Sequence, residues 1–351
     1  MSSHHSLDEQ RAVDAPRCGI ELPQPETLAQ LVLIFGGEVR GLEPEHSIQR
    51  LVSPQDATRV DDLSFVTHPR YLEQAMAQAG IALTRPSLAS RLPRAWAHEN
   101  PSWVLAQLLE RVAGSLRAAG SLRAAGSLRA AGSLRDRAAE SLRAVESLRD
   151  REDWSGSACH EARVAPSAVV HSGASLHASV VVEPGAVIFP RVRIEADVVV
   201  GAGSVVGRAG FGWAQGPSGA VRIPQLAGVI LEQGVELGAN CTIDSGCLRP
   251  TRIGRDTKLD AQVHVGHNAQ LGERCLIAAQ CGFAGSCEVG NEVRMGGQSG
   301  VADHVRVGDR AQVAAKTGVI RDVPAGEVVA GFPAVSRNRW LRATAKLFSG
   351  R

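Results

Sequence analysis

The sequence is poor in aromatic residues and in long apolar runs. Phe, Trp and Tyr make up 4% of the 351 residues, and there is a single tyrosine. No run of eighteen apolar residues occurs, so we expect no membrane-spanning helix. The first nineteen residues are polar and lack the apolar core of a secretory signal. These absences predict a cytoplasmic protein whose core is built from aliphatic side chains.

An excess of charge of either sign is also missing. The 38 Lys and Arg residues nearly balance the 36 Asp and Glu residues, which leaves a net charge of +2. A nucleic-acid-binding domain normally carries a clear basic excess or a basic stripe. We therefore expect no nucleic-acid partner.

The sequence is rich in one pattern, a period of six. An aliphatic, Phe or Met residue falls at every sixth position from Ile253 to Val319, and glycine often follows it. Neither the 3.6-residue period of a helix nor the alternation of a strand gives this spacing. A fixed short period indicates a solenoid, in which each turn buries its apolar residue against the next. The positions are Ile253, Leu259, Val265, Leu271, Ile277, Phe283, Val289, Met295, Val301, Val307, Val313 and Val319.

A shorter run of the same pattern comes earlier, from Val164 to Val206. It is interrupted by residues 207–228, and long excursions from repeat proteins usually carry function. The series resumes at Leu231. Around Leu248 we expect one repeat to be shorter by one residue, before the series continues from Ile253. We therefore assign residues 161–330 to one solenoid domain with a loop at 207–228.

The pattern resembles the left-handed parallel β-helix of the hexapeptide acyltransferases. This resemblance implies three hexads per triangular coil, with residues eighteen apart stacked about 4.8 Å from each other. The sequence contains seven cysteines without a disulfide spacing pattern. Cys275, Cys281 and Cys287 are six apart, which would place them on different sides of a coil. We expect free thiols and no shared metal ion.

The remaining segments have different patterns. Residues 20–112 predict a small α/β domain with helices over Pro25–Gly37, Arg70–Ala79 and Trp103–Val112. Residues 113–160 contain tandem Ser-Leu-Arg-Ala-Ala-Gly units, and predict a solvated, partly helical linker. Residues 331–351 predict a C-terminal extension with a short helix.

Two aromatic residues of the N-terminal region are candidates for ligand binding. Phe65 and Tyr71 are the first and last residues of a short motif, Phe-Val-Thr-His-Pro-Arg-Tyr. Together they could hold a flat ring between two aromatic faces. The alternative is that both are ordinary core residues. From the residue types alone, the core role is favoured.

One stacked column of the solenoid carries candidate chemistry. His267 is followed eighteen residues later by Gly285, and one further coil on by Asp303 and His304. An imidazole can take a proton from an attacking group, and a glycine N–H can meet a developing oxyanion. Asp260, seven residues before His267, could orient the imidazole ring. Each residue alone is also typical of an exposed corner, but the column favours an acyl-transfer site.

With these motifs the sequence resembles the UDP-3-O-(3-hydroxyacyl)glucosamine N-acyltransferases of lipid A biosynthesis. The resemblance covers roughly residues 20–112 and 163–347. The N-terminal motif from Leu63 to Tyr71 is similar to that family's uridine-binding motif, which favours Phe65 and Tyr71 as ligand-binding residues. The solenoid motifs that carry the resemblance are Gly210–Trp213, Ile223–Gln225, Thr242–Asp244, Val265–Asn268, Ile277–Gln280, Phe283–Ser286, Met295–Gln298 and Gly331–Ala334.

The resemblance implies a homotrimer with active sites between subunits, located in the cytoplasm or at the inner membrane surface. The donor would be a 3-hydroxyacyl thioester on the phosphopantetheine of acyl carrier protein, with no other cofactor and no metal. The acceptor would be the 2-amino group of a UDP-linked 3-O-acylglucosamine. The implied catalytic residues are His267 as general base, Gly285 as oxyanion donor and Asp260 in support. The implied substrate-binding residues are Phe65, His68, Tyr71, His264 and His304.

The sequence also departs from the family pattern. The family's Asn in the uridine motif is His68, the Arg after Thr-Ile-Asp is Ser245, and the Asn after Leu-Asp is Ala261. The first run of coils is about six hexads shorter than in typical members. These departures leave the acceptor sugar open. The acyl chain length is also open, because it depends on where the acyl groove closes.

Three alternatives remain. The first is another O- or N-acyltransferase on the same solenoid that acts on UDP-N-acetylglucosamine or another nucleotide sugar, although those O-acyltransferases begin directly with coils. The second is a zinc hydratase, which needs three convergent histidines; His264, His267 and His304 converge poorly in the predicted coils. The third is a non-catalytic descendant of an acyltransferase.

Overall fold

The computed structural model describes residues 19–130, 162–331 and 335–348, and gives side-chain surroundings up to residue 117 in the first of these ranges. The N-terminal domain is built on a six-stranded sheet with the strand order β1-β3-β4-β5-β6-β2. Strands β3 to β6 run parallel, and β1 and β2 pair antiparallel at the edges. The strands are β1 (Ile20–Thr27), β2 (Glu38–Arg40), β3 (Ser47–Val52), β4 (Asp62–Val66), β5 (Ile81–Thr84) and β6 (Ala95–Ala97).

The helices of this domain cover the sheet and begin at clear signals. Thr27 caps α1, since its hydroxyl accepts from Gln30 N at 3.2 Å, and Gly36 follows the last turn. A single turn of 3₁₀ helix, Pro69–Tyr71, precedes α2, so this helix starts two residues later than predicted. The helices are α1 (Leu28–Phe35), α2 (Leu72–Ala77), α3 (Pro86–Ala89) and α4 (Pro101–Ala130).

Helix α4 extends well beyond its predicted end at Val112. The helix continues through the first Ser-Leu-Arg-Ala-Ala-Gly units to Ala130. Alanine, leucine and arginine favour helix, and here they outweigh the cost of about 1 kcal/mol for each glycine. Val112 and Ala113 are still buried in the domain core, so the packed part of α4 crosses the predicted boundary at residue 113. The later repeats, from residue 131, lie outside the described residues.

The solenoid is a three-sided parallel β-helix, which confirms the fold predicted from the period of six. The first face is β7 (Arg163–Val164), β10 (Val181–Val182), β13 (Val199–Val200), β18 (Glu236–Leu237), β21 (Lys258–Leu259), β24 (Leu276–Ile277), β27 (Arg294–Met295), β30 (Gln312–Val313) and β32 (Val328–Val329). The second face is β8 (Val169–Val170), β11 (Val187–Ile188), β14 (Val205–Ala209), β19 (Thr242–Ser245), β22 (His264–Val265), β25 (Gly282–Phe283), β28 (Gly300–Val301) and β31 (Gly318–Val319). The third face is β9 (Ser175–Leu176), β12 (Val192–Ile194), β17 (Val229–Leu231), β20 (Thr251–Ile253), β23 (Gln270–Leu271), β26 (Glu288–Val289) and β29 (Arg306–Val307).

The residues at the period-six positions form the core of the prism. Val265, Phe283 and Val301 stack eighteen residues apart on the second face and are at most 3% exposed. Val164 and Val170 in the first coil are more than a third exposed, because no earlier coil of the described chain packs beneath them. The prism therefore has a buried, mainly aliphatic interior in all but its first coil.

The corners between faces require left-handed backbone. Asn268 and Gln280 are two of the non-glycine corner residues, each with a φ of 61°. Asparagine tolerates this conformation well, whereas the sequence pattern gave no signal that Gln, Arg and Lys would share the role. The stacked coils hold these residues in place through backbone hydrogen bonds, such as Gln280 N to Ala261 O at 3.0 Å.

The register around Leu248 differs from the prediction. Ile243 and Ile253 are the inward residues of successive faces, and they are ten residues apart rather than six. Four residues are looped out instead of one being lost. Leu248 consequently leaves the prism and is buried in the core of the N-terminal domain.

Three further features complete the fold. Residues 213–222 of the long loop form a hairpin of β15 (Trp213–Gly216) and β16 (Gly219–Arg222), and the C-terminal helix is α5 (Arg337–Phe348). Cys275, Cys281 and Cys287 are buried free thiols. None of the helices in the described ranges is long and apolar enough to cross a membrane.

Candidate functional site

Most of the candidate residues lie along one edge of the prism, where the second face turns into the third. We call this edge the site corner. The long loop was predicted at 207–228, but β14 extends to Ala209, so the loop comprises residues 210–228. It and the short turn at 246–250 leave the coils here, after β14 and β19. His267, Gly285 and His304 occupy the same corner in the next three coils, after β22, β25 and β28. The excursions that break the sequence pattern therefore adjoin the column of candidate residues.

His267 and Gly285 lie in successive coils and are in direct contact. A Cβ atom built on Gly285 would lie 2.7 Å from Cε1 and 2.8 Å from Nε2 of the His267 ring. Such contacts are too close for any side chain, so the imidazole lies against the bare backbone. The Gly285 N–H makes no hydrogen bond with another residue in the described ranges, and remains available to a ligand.

Asn268 fixes the tautomer of the His267 ring. The backbone N–H of Cys247 donates to Asn268 Oδ1 at 2.7 Å, which identifies Oδ1 as the acceptor and orients the amide. Asn268 Nδ2 then donates to His267 Nδ1 at 2.8 Å. A neutral imidazole donates from one nitrogen and accepts at the other, so the proton of the ring lies on Nε2, which faces Gly285.

The carboxylate beside His267 belongs to Asp244 rather than to Asp260. A Cβ on Gly210 would approach both His267 Cβ, at 2.8 Å, and Asp244 Oδ2, at 3.1 Å. Asp260 follows β21 on the first face, and its carboxylate accepts from the N–H of Ala261 at 2.7 Å. The chain thus brings His267 and Gly285 together as predicted, but places Asp260 at a different corner.

Asp244 is buried and has two basic neighbours. Its Oδ1 forms an ion pair with Arg208 Nε at 2.9 Å, without the alignment of a hydrogen bond, and its Oδ2 lies 3.7 Å from His264 Nε2. Burial raises the pKa of Asp244, and Arg208, His264 and His267 oppose that rise. The partner of Ile243 in the next coil is Val265, twenty-two residues on rather than eighteen, because four residues are looped out between them. Counting in eighteens therefore did not bring Asp244 beside His267.

Burial keeps the imidazoles of the site corner in their neutral form. The pKa of His267 is lowered, mainly by burial, while the Asp244 charge and a hydrogen bond with the Phe211 backbone act in the opposite direction. The pKa of His304 is also lowered by burial, with Asp303 opposing. A neutral ring at pH 7 retains a lone pair that can accept a proton.

The aromatic motif of the N-terminal domain reaches the solenoid of the same chain. The Tyr71 hydroxyl and His304 Nδ1 are hydrogen-bonded at 2.9 Å, and the His68 ring stacks on His304 with centroids 5.8 Å apart. Arg70 also forms an ion pair with Asp322 at 3.1 Å. The motif therefore lies beside the site corner, although 233 residues separate Tyr71 from His304 along the chain.

Two neighbouring cavities meet at His267. A pocket of about 200 Å³ is lined by Phe65 and Tyr71 from the N-terminal domain and by His267 and His304 from the solenoid. An open cleft of about 660 Å³ is lined by His264, Gly285 and Phe211, and shares His267 and His304 with the pocket. In the described ranges no three His, Cys, Asp or Glu residues are arranged to hold a metal ion.

Known proteins match part of this chain. The model of the family "Bacterial transferase hexapeptide (six repeats)" matches residues 250–285. A UDP-3-O-acylglucosamine N-acyltransferase of Caulobacter sp. (strain K31) is 42% identical over 145 residues, which is 41% of this chain and 43% of the relative. The protein of the same name from Caulobacter vibrioides (strain NA1000 / CB15N) is 57% identical over 145 residues, with the same coverage. The matches thus span less than half of these curated relatives.

Solved structures match over about half of the chain. A UDP-N-acetylglucosamine acyltransferase from Campylobacter jejuni is 23% identical with a TM-score of 0.41, covering 53% of this chain and 85% of that protein. A UDP-N-acetylglucosamine O-acyltransferase from Moraxella catarrhalis is 22% identical with a TM-score of 0.42, covering 51% and 77%. The curated relatives confirm the family resemblance over the 145 residues that they match.

Proposed function

We propose that this chain, a relative of the UDP-3-O-acylglucosamine N-acyltransferases over the matched 145 residues, has that activity itself. It would move a 3-hydroxyacyl chain from acyl carrier protein to the 2-amino group of UDP-3-O-acylglucosamine. The observation that carries the proposal is the contact between a neutral His267 and the free Gly285 N–H, beside a pocket lined by Phe65 and Tyr71.

In the proposed reaction the acceptor nitrogen attacks the thioester carbonyl carbon. His267 takes a proton from that nitrogen as the C–N bond forms. The carbonyl oxygen becomes an oxyanion and accepts a hydrogen bond from Gly285 N–H. The C–S bond then breaks, and the imidazolium returns the proton to the leaving phosphopantetheine thiolate. The lowered pKa of His267 supports this role, because the free ring is already unprotonated at pH 7.

The tautomer of His267 adds a requirement to this mechanism. In the resting structure Nε2, the nitrogen beside Gly285, carries the proton. To act as a base at Nε2, the ring has to move its proton to Nδ1. Asn268 then has to turn its amide oxygen towards Nδ1 and give up the hydrogen bond from Cys247 N–H. Asn268 is thus proposed to be the residue that positions the base.

We expect Asn268→Asp to shift the acidic limb of the kcat/KM profile to higher pH. A carboxylate can accept from Cys247 N–H and from His267 Nδ1 together, which leaves Nε2 free, and its charge raises the pKa of the ring. The wild-type limb is expected below pH 6.5, because the pKa of His267 is lowered from that value.

The matched control is Asn240→Asp, at a residue of similar backbone conformation on another corner. It is expected to leave the pH profile unchanged. A limb that stays fixed in Asn268→Asp, or moves to lower pH, would contradict the assigned contact between Asn268 and the catalytic ring.

The pocket and the cleft beside His267 are proposed to hold the nucleotide sugar. Phe65 and Tyr71 are proposed to stack on the uracil ring, with His68 and His304 beside them. His264 borders the larger cleft and is proposed to contact the sugar or the acyl group. We further propose a homotrimer with its active sites between neighbouring subunits.

Acyl carrier protein is proposed to dock on α5. Arg339, Arg342 and Lys346 are spaced by three and four residues, which places them on one face of this helix. Reversing Arg339 and Arg342 to Glu is expected to raise the KM for the acyl thioester, because acyl carrier proteins are acidic. The KM for the nucleotide sugar should not change.

The matched reversal of Arg255 and Arg294, which lie away from the site corner, should alter neither constant. The wild-type KM for the thioester should also rise with salt, since the Debye length falls from about 10 Å at 0.1 M to about 3 Å at 1 M. Constants that stay flat in salt and in the α5 double variant would refute docking on this helix.

The direct test of function offers the purified protein a choice of acceptors. UDP-3-O-acylglucosamine and UDP-N-acetylglucosamine are each incubated with a panel of 3-hydroxyacyl thioesters of acyl carrier protein, and products are measured by mass spectrometry. We expect an adduct only with the amine acceptor. An adduct only with UDP-N-acetylglucosamine would favour the O-acyltransferase alternative, and no adduct with either would overturn acyl transfer.

A further inference from the structure

The turn at residues 246–250 enters the proposed mechanism only through the backbone N–H of Cys247, and its side chains have no role there. It contains the four residues that are looped out between Ile243 and Ile253. Cys247 and Leu248 are buried with side chains of the N-terminal domain, so they anchor the turn between the two domains. Burial raises the pKa of the Cys247 thiol to about 12, which makes it unreactive. The next residue, Arg249, remains partly exposed.

Arg249 occupies the junction between two cavities. It borders the pocket that holds Phe65, Tyr71 and His267, and it also borders a groove of about 510 Å³ along the third face. Of the described residues that line the pocket, Arg249 is the sole lysine or arginine. An anionic group of a ligand in this pocket can therefore pair with one permanently charged side chain, that of Arg249.

Arg249 also differs from the other arginines around the site by its lack of a partner. Arg208 pairs with Asp244, Arg70 pairs with Asp322, and Arg306 pairs with Glu288. Within the described ranges no Asp or Glu carboxylate lies within 4 Å of the Arg249 guanidinium. Glu288 borders the same pocket, but its carboxylate is 2.9 Å from Arg306.

The backbone that carries Arg249 is held tightly. Ser245 Oγ accepts from Gly228 N at 3.1 Å and donates to Gln225 O at 3.2 Å, which ties the start of the turn to the long loop. A Cβ on Gly246 would lie 1.8 Å from the Arg249 carbonyl oxygen, so the turn closes on itself. Pro250 then restricts Arg249 to extended backbone. An unpaired guanidinium is thus presented to the pocket from a preorganised turn.

We propose that Arg249 binds the diphosphate of the nucleotide-sugar substrate. The inference rests on the proposed function, which places a uracil ring between Phe65 and Tyr71 and the sugar at His267. The diphosphate links these two groups, and a guanidinium fork matches phosphate oxygens in charge and in bidentate geometry. Arg249 is therefore a determinant of specificity for nucleoside diphosphates over uncharged nucleosides.

The test compares the affinities of UDP and uridine by isothermal titration calorimetry, which requires no turnover. Wild-type protein is expected to bind UDP more tightly than uridine. Arg249→Ala should lose about tenfold in affinity for UDP, the scale of a charged hydrogen bond, and should keep its affinity for uridine. Arg249→Lys should fall between the two, because an ammonium group keeps the charge but not the fork.

Arg294→Ala is the matched control. Arg294 is an exposed arginine on the first face, outside the pocket, and its removal should leave both affinities unchanged. If Arg249→Ala retains the wild-type ratio of UDP to uridine affinity, the role of Arg249 is overturned while the proposed function stands. If the wild-type protein binds neither compound, the proposed function itself fails.

Discussion

His267→Ala is expected to lower kcat by about 10² to 10⁴, the range for losing a positioned general base. The ring projects from a corner, whereas the neighbouring Val265 fills the core, so the substitution removes chemistry and leaves the prism intact. Turnover is measured at saturating donor and acceptor, and the melting temperature of each variant confirms that it is folded.

The control is His177→Ala, at an exposed histidine in an early coil whose ring contacts Ser179. Its kcat should equal that of wild type. A folded His267→Ala variant with wild-type turnover would remove the general base from the account.

Gly285→Ala is the second substitution with a large expected effect. The added methyl group would lie 2.7 to 2.8 Å from the His267 ring, so the ring has to move, while the oxyanion-binding N–H is retained. A misplacement of about 1 Å in a catalytic group costs about 10² in rate, and we expect that loss in kcat. Gly318→Ala is the control, because its Cβ would meet no atom within 4 Å.

A double variant separates displacement of the ring from other effects. In a His267→Ala background the ring is absent, so Gly285→Ala should cost little more. Losses that multiply in the double variant would show that Gly285 acts independently of His267. Wild-type turnover in Gly285→Ala alone would contradict the contact between the two residues.

The regular part of the solenoid is predictable from the sequence because its physics is local. An apolar residue at every sixth position buries itself in each coil, and the three hexads per coil that the resemblance implies then fix which residues stack eighteen apart. The same arithmetic places His267 above Gly285, as the structure has them. The column of the site therefore follows from the spacing, once three hexads per coil are assumed.

Three contacts of the site could not be predicted from the spacing of residues in the sequence. Asp244 reaches His267 only because four residues leave the prism after it, and counting in sixes cannot locate a looped-out segment. The contact between Tyr71 and His304 depends on how two domains pack, which no local pattern specifies. The acceptor oxygen of Asn268 is identified only through a hydrogen bond from another coil.

The measurement that tests the central claim most directly is the linkage of the transferred acyl chain. The product formed from UDP-3-O-acylglucosamine is treated with mild alkali, which cleaves esters and spares amides. The mass of the treated product is then measured by mass spectrometry. If the 2-amino group is the acceptor, the treated product loses its original 3-O-acyl chain and keeps the new 3-hydroxyacyl chain. A treated product that has lost both chains would show transfer to a hydroxyl group, and would contradict the proposed N-acyltransferase.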